Sequence, residues 1–166
     1  MLHIICAEEN EAKNIKFDCS KAILHIIGPG LFNILKTPRI GIKEDDIVLN
    51  IGYAGSNLFK PGEVFSVVTA QRLNPSKTIK EEKLFLFPVY FLGADCYTAD
   101  DFVESSSKEL PLVDMELYYL SLIYPGIRAI KIVSDNLNYK NYKNVDLDDS
   151  WQQVNKAIED IQNGKN

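Results

Sequence analysis

Histidine and cysteine are scarce in this 166-residue chain, which has two His and three Cys. Cys6, Cys19 and Cys96 are odd in number and widely spaced, with no Cys-X-X-Cys pair and no Cys/His cluster. Neither a zinc site nor the disulfide framework of a secreted domain is indicated, and Cys6, inside an apolar run, reads as a small buried residue. His3 and His25 also lie within apolar runs. Both are read as core histidines, and no Ser/His/Asp constellation recruits them. There is no dense Lys/Arg stripe, and the net charge is −5, which argues against a nucleic-acid or anionic-membrane partner. Lys140 and Lys143, set among Asn and Tyr, read as a solvated loop; Lys77, Lys80 and Lys83 read as solvated surface. No apolar run approaches the about 20 residues that span a bilayer. The chain enters Leu2-His3-Ile4-Ile5-Cys6-Ala7 with no basic region or cleavage signal before it, so a soluble, cytoplasmic protein is expected. Repeats, low-complexity linkers and a Gly-Lys-Ser phosphate loop are absent too.

What remains is ordinary globular composition, with 46% hydrophobic residues and a mean hydropathy of −0.11. A chain this long buries roughly 70% of its extended surface, enough for one domain over residues 1–166. Short apolar runs recur at Leu2–Ala7, Ala22–Ile27, Ile47–Ile51, Val64–Ala70, Lys83–Phe91 and Arg128–Val133, bounded by Gly, Pro, Asn or Asp. These predict buried strands. Several are apolar on both faces, as in Ile47-Val48-Leu49-Asn50-Ile51, which fits a central sheet covered on both sides. A helix is expected from Glu116 to Tyr124, ended by Pro125-Gly126. A second follows Ser150, read as an N-cap with Gln153 completing a capping box. It carries Trp151, Val154, Ile158 and Ile161 on one face. Glu8–Lys16 and Leu31–Leu35 offer shorter helices. The expected fold is α/β, with a mixed twisted central sheet flanked by helices.

Two carboxylate-bearing fragments stand where apolar runs stop. They are Val113-Asp114-Met115-Glu116 and Ile132-Val133-Ser134-Asp135-Asn136. In α/β proteins, sites are built at strand ends. Each fragment also has a plainer explanation: Glu116 suits a helix N-terminus, and Asp135 suits a turn. Glu8, Glu9 and Glu11 follow the first strand and are either a solvated first helical turn or a source of one general acid/base. Gly28-Pro29-Gly30 is either a tight turn or an anion approach. Gly52-Tyr53-Ala54-Gly55-Ser56 has small residues where a ligand could approach the backbone. Phe102, isolated in a polar loop, reads by itself as a core plug.

Taken in order, these fragments resemble the purine nucleoside phosphorylase/nucleosidase superfamily, and in particular its methylthioadenosine/S-adenosylhomocysteine nucleosidase branch in a shortened form. Ile4-Ile5-Cys6-Ala7-Glu8-Glu9-Asn10-Glu11 is similar to that branch's opening strand and Glu cluster, and Gly28-Pro29-Gly30 to its second glycine turn. Leu49-Asn50-Ile51-Gly52-Tyr53-Ala54-Gly55 and Pro61-Gly62-Glu63-Val64 follow its third strand and next turn, and Asp101-Phe102-Val103 resembles its purine-stacking loop. The two carboxylate fragments are the most specific matches.

The resemblance implies cleavage of a purine N-glycosidic bond through an oxocarbenium-like transition state. By that likeness Asp135 protonates N7 of the base and Glu11 activates the attacking water. Phe102 stacks on the purine, and backbone groups at Val103 read its edge. Met115 packs under the ribose and Glu116 holds its hydroxyls. Gly28, Tyr53, Ser134 and Lys131 complete the implied substrate-binding set. A purine nucleoside is the implied partner, phosphate a second one, and a homo-oligomer the implied assembly; no cofactor or metal is implied.

The sequence departs from the family in four respects. Tyr53 stands where a small hydroxyl residue is usual, Lys131 where the nucleosidases use an Arg, and Leu117-Tyr118-Tyr119 where small residues are usual. The chain is also shorter, with the losses expected in the hairpin after the first strand and in a helical stretch between Phe91 and Thr98. Hydrolysis of an adenosine-like nucleoside is the favoured activity. Phosphorolysis and a catalytically inactive nucleoside-binding module are the alternatives.

Overall fold

A computed structural model describes residues 1–36, 41–73, 83–86, 90–104, 106–138 and 145–165. Lys77, Lys80, Lys140 and Lys143 lie outside the described residues. Among the described residues, eight strands form one mixed sheet. They are β1 (Leu2–Cys6), β2 (Ala22–Ile26), β3 (Ile47–Gly55), β4 (Val64–Arg72), β5 (Leu84–Phe85), β6 (Gly93–Thr98), β7 (Leu112–Asp114) and β8 (Arg128–Asp135). The helices described with them are α1 (Glu9–Ala12), α2 (Gly30–Lys36), α3 (Leu117–Ile123) and α4 (Asp148–Gln162).

β1 lies between β2 and β3, parallel to both. β3 also runs parallel to β8, and β8 antiparallel to β4. β4 runs parallel to β6, β6 parallel to β7, and β7 meets β3 antiparallel at Gly55↔Val113. Strands β3, β8, β4, β6 and β7 therefore close a ring, with β2–β1 as a wing on β3. Closure bends the end of β3 toward β7, and the pairing of β3 with β8 shifts register between Ala54 and Gly55. That irregularity lies at the strand ends where the carboxylates gather.

Alternation along the strands sends their side chains to two different layers. Leu49 and Ile51 of β3 and Ile130 and Ile132 of β8 pack with Trp151, Val154, Ile158 and Ile161 of α4. This is the face the sequence assigned to that helix, and burying each of its aliphatic side chains contributes about 1.5–3 kcal/mol. On the other side, Val48 and Ala54 of β3 and Ala129 and Val133 of β8 pack with Leu117 and Leu120 of α3.

Three sequence expectations change. Helix α4 begins at Asp148, so Ser150 is not its N-cap. Asp146 Oδ1 accepts from the Asp148 N–H at 3.0 Å, while the Ser150 hydroxyl donates to the Gly62 carbonyl at 2.7 Å. The acids upstream of Ser150 extend the helix by one turn and free the serine for a tertiary bond. Of the run Lys83–Phe91, only Leu84–Phe85 is strand among the described residues, with Phe85 82% exposed at the sheet edge; residues 87–89 lie outside the described set. Strands β6 and β7 were not foreseen. In β6 the buried Ala94, Cys96 and Thr98, small or polar themselves, alternate with the less buried Gly93, Asp95 and Tyr97, which masks its apolar signal, and β7 is only three residues long.

Residues 13–21 join α1 to β2 with neither helix nor strand between them, and residues 93–98 are strand rather than helix. No helix among the described residues is long and apolar enough to cross a membrane.

Candidate active site

Glu11 is held by its own helix start. Its Oε2 accepts from the Ala7 N–H at 2.9 Å and the Glu8 N–H at 3.0 Å, the return arm of a capping box. Its Oε1 accepts from the Tyr53 N–H on β3 at 2.8 Å. The side chain is buried, and burial pushes its pKa above the ordinary carboxylate value, opposed by the Tyr53 N–H and the charge of Lys131. Three backbone donors fix its orientation.

The small residues after β3 serve these acids directly. A Cβ on Gly52 would stand 2.8 Å from Glu11 Oε1, and one on Gly55 would stand 3.1 Å from Asp135 Oδ1. The glycines that look from sequence like a ligand approach give Glu11 and Asp135 their room against the strand.

Asp135 ends β8 and is buried. Its Oδ2 accepts from the Ser134 hydroxyl at 2.8 Å and its Oδ1 from the Asn138 N–H at 3.3 Å. The chain reaches that amide through Leu137, the only described non-glycine residue with positive φ, at 58°. That conformation costs about 1–2 kcal/mol, and the buried Leu137 side chain lines the cleft.

Glu116 caps α3. Its Oε1 accepts from the Gly30 N–H at the start of α2, at 2.9 Å. Burial, reinforced by the Asp114 charge and offset by Lys131, pushes its pKa up to about 7. Asp114, two residues earlier at the end of β7, is also buried. Its Oδ1 accepts from the Thr98 hydroxyl at 2.6 Å and its Oδ2 from the Leu117 N–H at 3.0 Å. Lys131 Nζ is 2.7 Å from Asp114 Oδ2, and the lysine is 1% exposed. Burial opposes its charge, but Asp114 and Glu116 outweigh burial and hold its pKa above the usual lysine value.

These groups surround one cleft of about 350 Å³, within the range of small-ligand pockets. Of the residues proposed from sequence, Glu11, Tyr53, Phe102, Val103, Met115, Glu116, Ser134 and Asp135 line it. Two do not. Gly28 lies behind the wall, its N–H bonded to the Ala7 carbonyl at 2.9 Å while Pro29 faces the cleft. Lys131 sits beneath the floor, drawn there by Asp114.

Tyr53 reaches the cleft, but its hydroxyl accepts from Trp151 Nε1 at 3.1 Å, and the two rings meet edge-on at 5.7 Å. Its ring therefore belongs to the α4 layer. Phe102, 41% exposed at the mouth, is not a core plug. Asp114 and Leu137 were missed as site residues. Asp114 stood in a motif already quoted, whereas nothing in the sequence marks Leu137. Among the described residues no group of three or more His, Cys, Asp or Glu is placed to hold a metal ion.

No family model and no curated protein matches the sequence. Solved structures do match. A methylthioadenosine nucleosidase (MTAN) from Chlamydia trachomatis superposes with a TM-score of 0.77 at 18% identity, covering 99% of this chain and 98% of that one. A variant of the same enzyme bound to MTA gives 0.79 at 17% identity, with the same coverage. Futalosine hydrolase of Helicobacter pylori gives 0.72 at 15% identity, covering 98% of this chain and 97% of that one. The chain thus has, along nearly its whole length, the fold of the methylthioadenosine nucleosidase and futalosine hydrolase structures, which is the architecture its strand-end fragments resemble.

Proposed function

We propose that the protein hydrolyses the N-glycosidic bond of an adenosine-like purine nucleoside. Support comes above all from one observation: three buried carboxylates on three separate segments, Glu11, Glu116 and Asp135, converge on one cleft with an aromatic at its mouth. Cleavage needs a proton delivered to the departing base and another removed from water, and each such assistance contributes about 10²–10⁴-fold. Asp135, steadied by Ser134, protonates N7 so that the purine leaves as a neutral base. Glu11 accepts a proton from the water that attacks C1′ as positive charge develops on the sugar. Glu116 holds the ribose hydroxyls, Met115 packs under the ring, and Phe102 stacks on the purine while the backbone at Val103 meets its edge.

The charge of the lining favours water over phosphate as nucleophile. Glu8, Glu11, Asp101, Asp114, Glu116 and Asp135 line the cleft, and none of the described lining residues is Lys, Arg or His. A phosphate anion entering there meets a negative field with no cation to receive it; the nearby Lys131 is already paired with Asp114.

The test is release of free base from methylthioadenosine, S-adenosylhomocysteine and adenosine in phosphate-free buffer. Release that requires phosphate would establish phosphorolysis instead. Failure on a broad purine-nucleoside panel, with and without phosphate, would sink both enzymatic readings. Saturable binding in that case would establish an inactive nucleoside-binding module.

A further inference from the structure

Asp100 lies outside the cleft, in the loop that carries Phe102 and Val103, and its carboxylate is held from two sides. That loop leaves β6 at Thr98, and its first residue is fixed by the Ala99 N–H bond to the Asp114 carbonyl at 2.8 Å. One residue later, Asp100 Oδ2 accepts from Arg72 Nη2 at the end of β4, and its Oδ1 accepts from the Tyr119 hydroxyl on α3. Both bonds hold the ionised carboxylate, and Tyr119 followed by Arg72 keeps the Asp100 pKa below its ordinary value. Tyr119 is itself buried in the first turn of α3, the helix Glu116 caps. The same turn is tied inward, because the Tyr118 N–H donates to Thr98 Oγ1 at 2.9 Å. Thr98 on the inside and Asp100 on the outside thus bind the loop to the helix that presents the ribose acid.

We infer that Asp100 is a positioning residue for the purine, a latch that sets the Phe102 loop relative to Glu116 through Tyr119 and Arg72; this rests on the nucleosidase reading. Its partner Arg72 is 44% exposed and Asp100 46% exposed at their side chains, so salt weakens the ion pair. A neutral nucleoside has no charge for salt to screen. The part of the KM salt dependence that Asp100→Asn removes therefore reports the latch, and the part that remains reports the cleft's own carboxylates.

The experiment compares the unaltered chain with Asp100→Asn and Tyr119→Phe by amide hydrogen exchange, adenine binding and base-release kinetics. In Asp100→Asn the expected result is faster exchange at residues 99–103 with β6 and α3 unchanged. KM should rise about tenfold with kcat within about twofold, and the dependence of KM on salt should weaken. Tyr119→Phe shifts the same quantities less. Unchanged exchange in Asp100→Asn overturns the latch. Faster exchange with unchanged KM, while Phe102→Ala raises KM, overturns its role toward the purine. If the unaltered protein neither binds adenine nor releases it, the nucleosidase reading fails. Exchange alone then decides the latch: faster supports it, unchanged overturns it.

Discussion

The two layers on either side of β3 and β8 are made from the same strands and behave oppositely. On the α4 side, Leu49, Ile51, Ile130 and Ile132 meet Trp151, Val154 and Ile158 in an almost wholly apolar contact. On the α3 side the alternate residues of the same strands include Asn50, bonded to the Ile5 carbonyl, Gly52 beside Glu11, Lys131 paired with Asp114, and the buried Asp135. The first layer stabilises through burial. The second contains buried charges whose desolvation each costs several kcal/mol before pairing offsets it. The α3 side sets these charges beside an apolar cluster of its own, with Val48, Ala54, Ala129 and Val133 against Leu117 and Leu120, so burial on both faces of the strands offsets the site's cost in stability while only one face carries the carboxylates.

The two layers can be separated experimentally. Glu11→Gln and Asp135→Asn each remove a carboxylate proposed to transfer a proton. Base release should fall by about 10²–10⁴-fold in kcat with the circular dichroism spectrum unchanged; Glu11→Gln should also lower the melting temperature, because its amide cannot accept from all three backbone N–H groups. Loss of fold in both would mean these acids belong to the structural layer.

Trp151→Ala strikes the other side. It should cost about 3–5 kcal/mol of unfolding free energy in a urea titration, while KM per folded molecule stays within about twofold. A large KM change would show that the Tyr53–Trp151 contact reaches into the cleft.

Lys131→Met tests the boundary between the layers. Leaving Asp114 buried without its cation should cost about 3–5 kcal/mol, and adding Asp114→Asn should recover part of that loss. Independent, additive effects in the double variant would contradict the pairing.

The smallest effect is on pH dependence. Burial raises the Glu116 pKa from 4.5 to about 7, so folding takes up a proton in that window. The stability gained by protonation is fully present below about 4.5 and is lost as pH rises to about 7. Glu116→Gln should flatten the melting temperature across this window. If Glu116 holds the ribose hydroxyls as proposed, they donate to its carboxylate form, so the KM of the unaltered protein should fall as pH rises through about 7, and Glu116→Gln should abolish that trend.

The apolar runs marked β1, β3, β4 and β8 because each is largely buried and has few polar residues to obscure it; β2 was marked by its apolar composition although, as an edge strand, it leaves Ile23 and Ile26 exposed. The same signal fails for β6 and β7, whose burial depends on closure of the ring rather than on their own composition. Ser150 shows the limit of local rules. Its spacing to Gln153 satisfies a capping box, but Asp146 lies one turn upstream and the Gly62 carbonyl lies within reach. The acids at 11, 116 and 135 could be picked out because they follow strands. Whether they are decoration or site was undecidable locally, since a solvated helix start and a buried one read alike.

By itself the sequence determined the local chemistry: apolar strands ending in carboxylates, small residues beside them, and a helix with one apolar face. Those features arise from neighbours along the chain. The tertiary structure alone decided which acids share a cleft and how each is held. Glu11 meets the Tyr53 amide, Glu116 the Gly30 amide, and Asp114 the Lys131 ammonium. Burial and electric field depend on groups distant in sequence, and only folding brings them within a few ångströms.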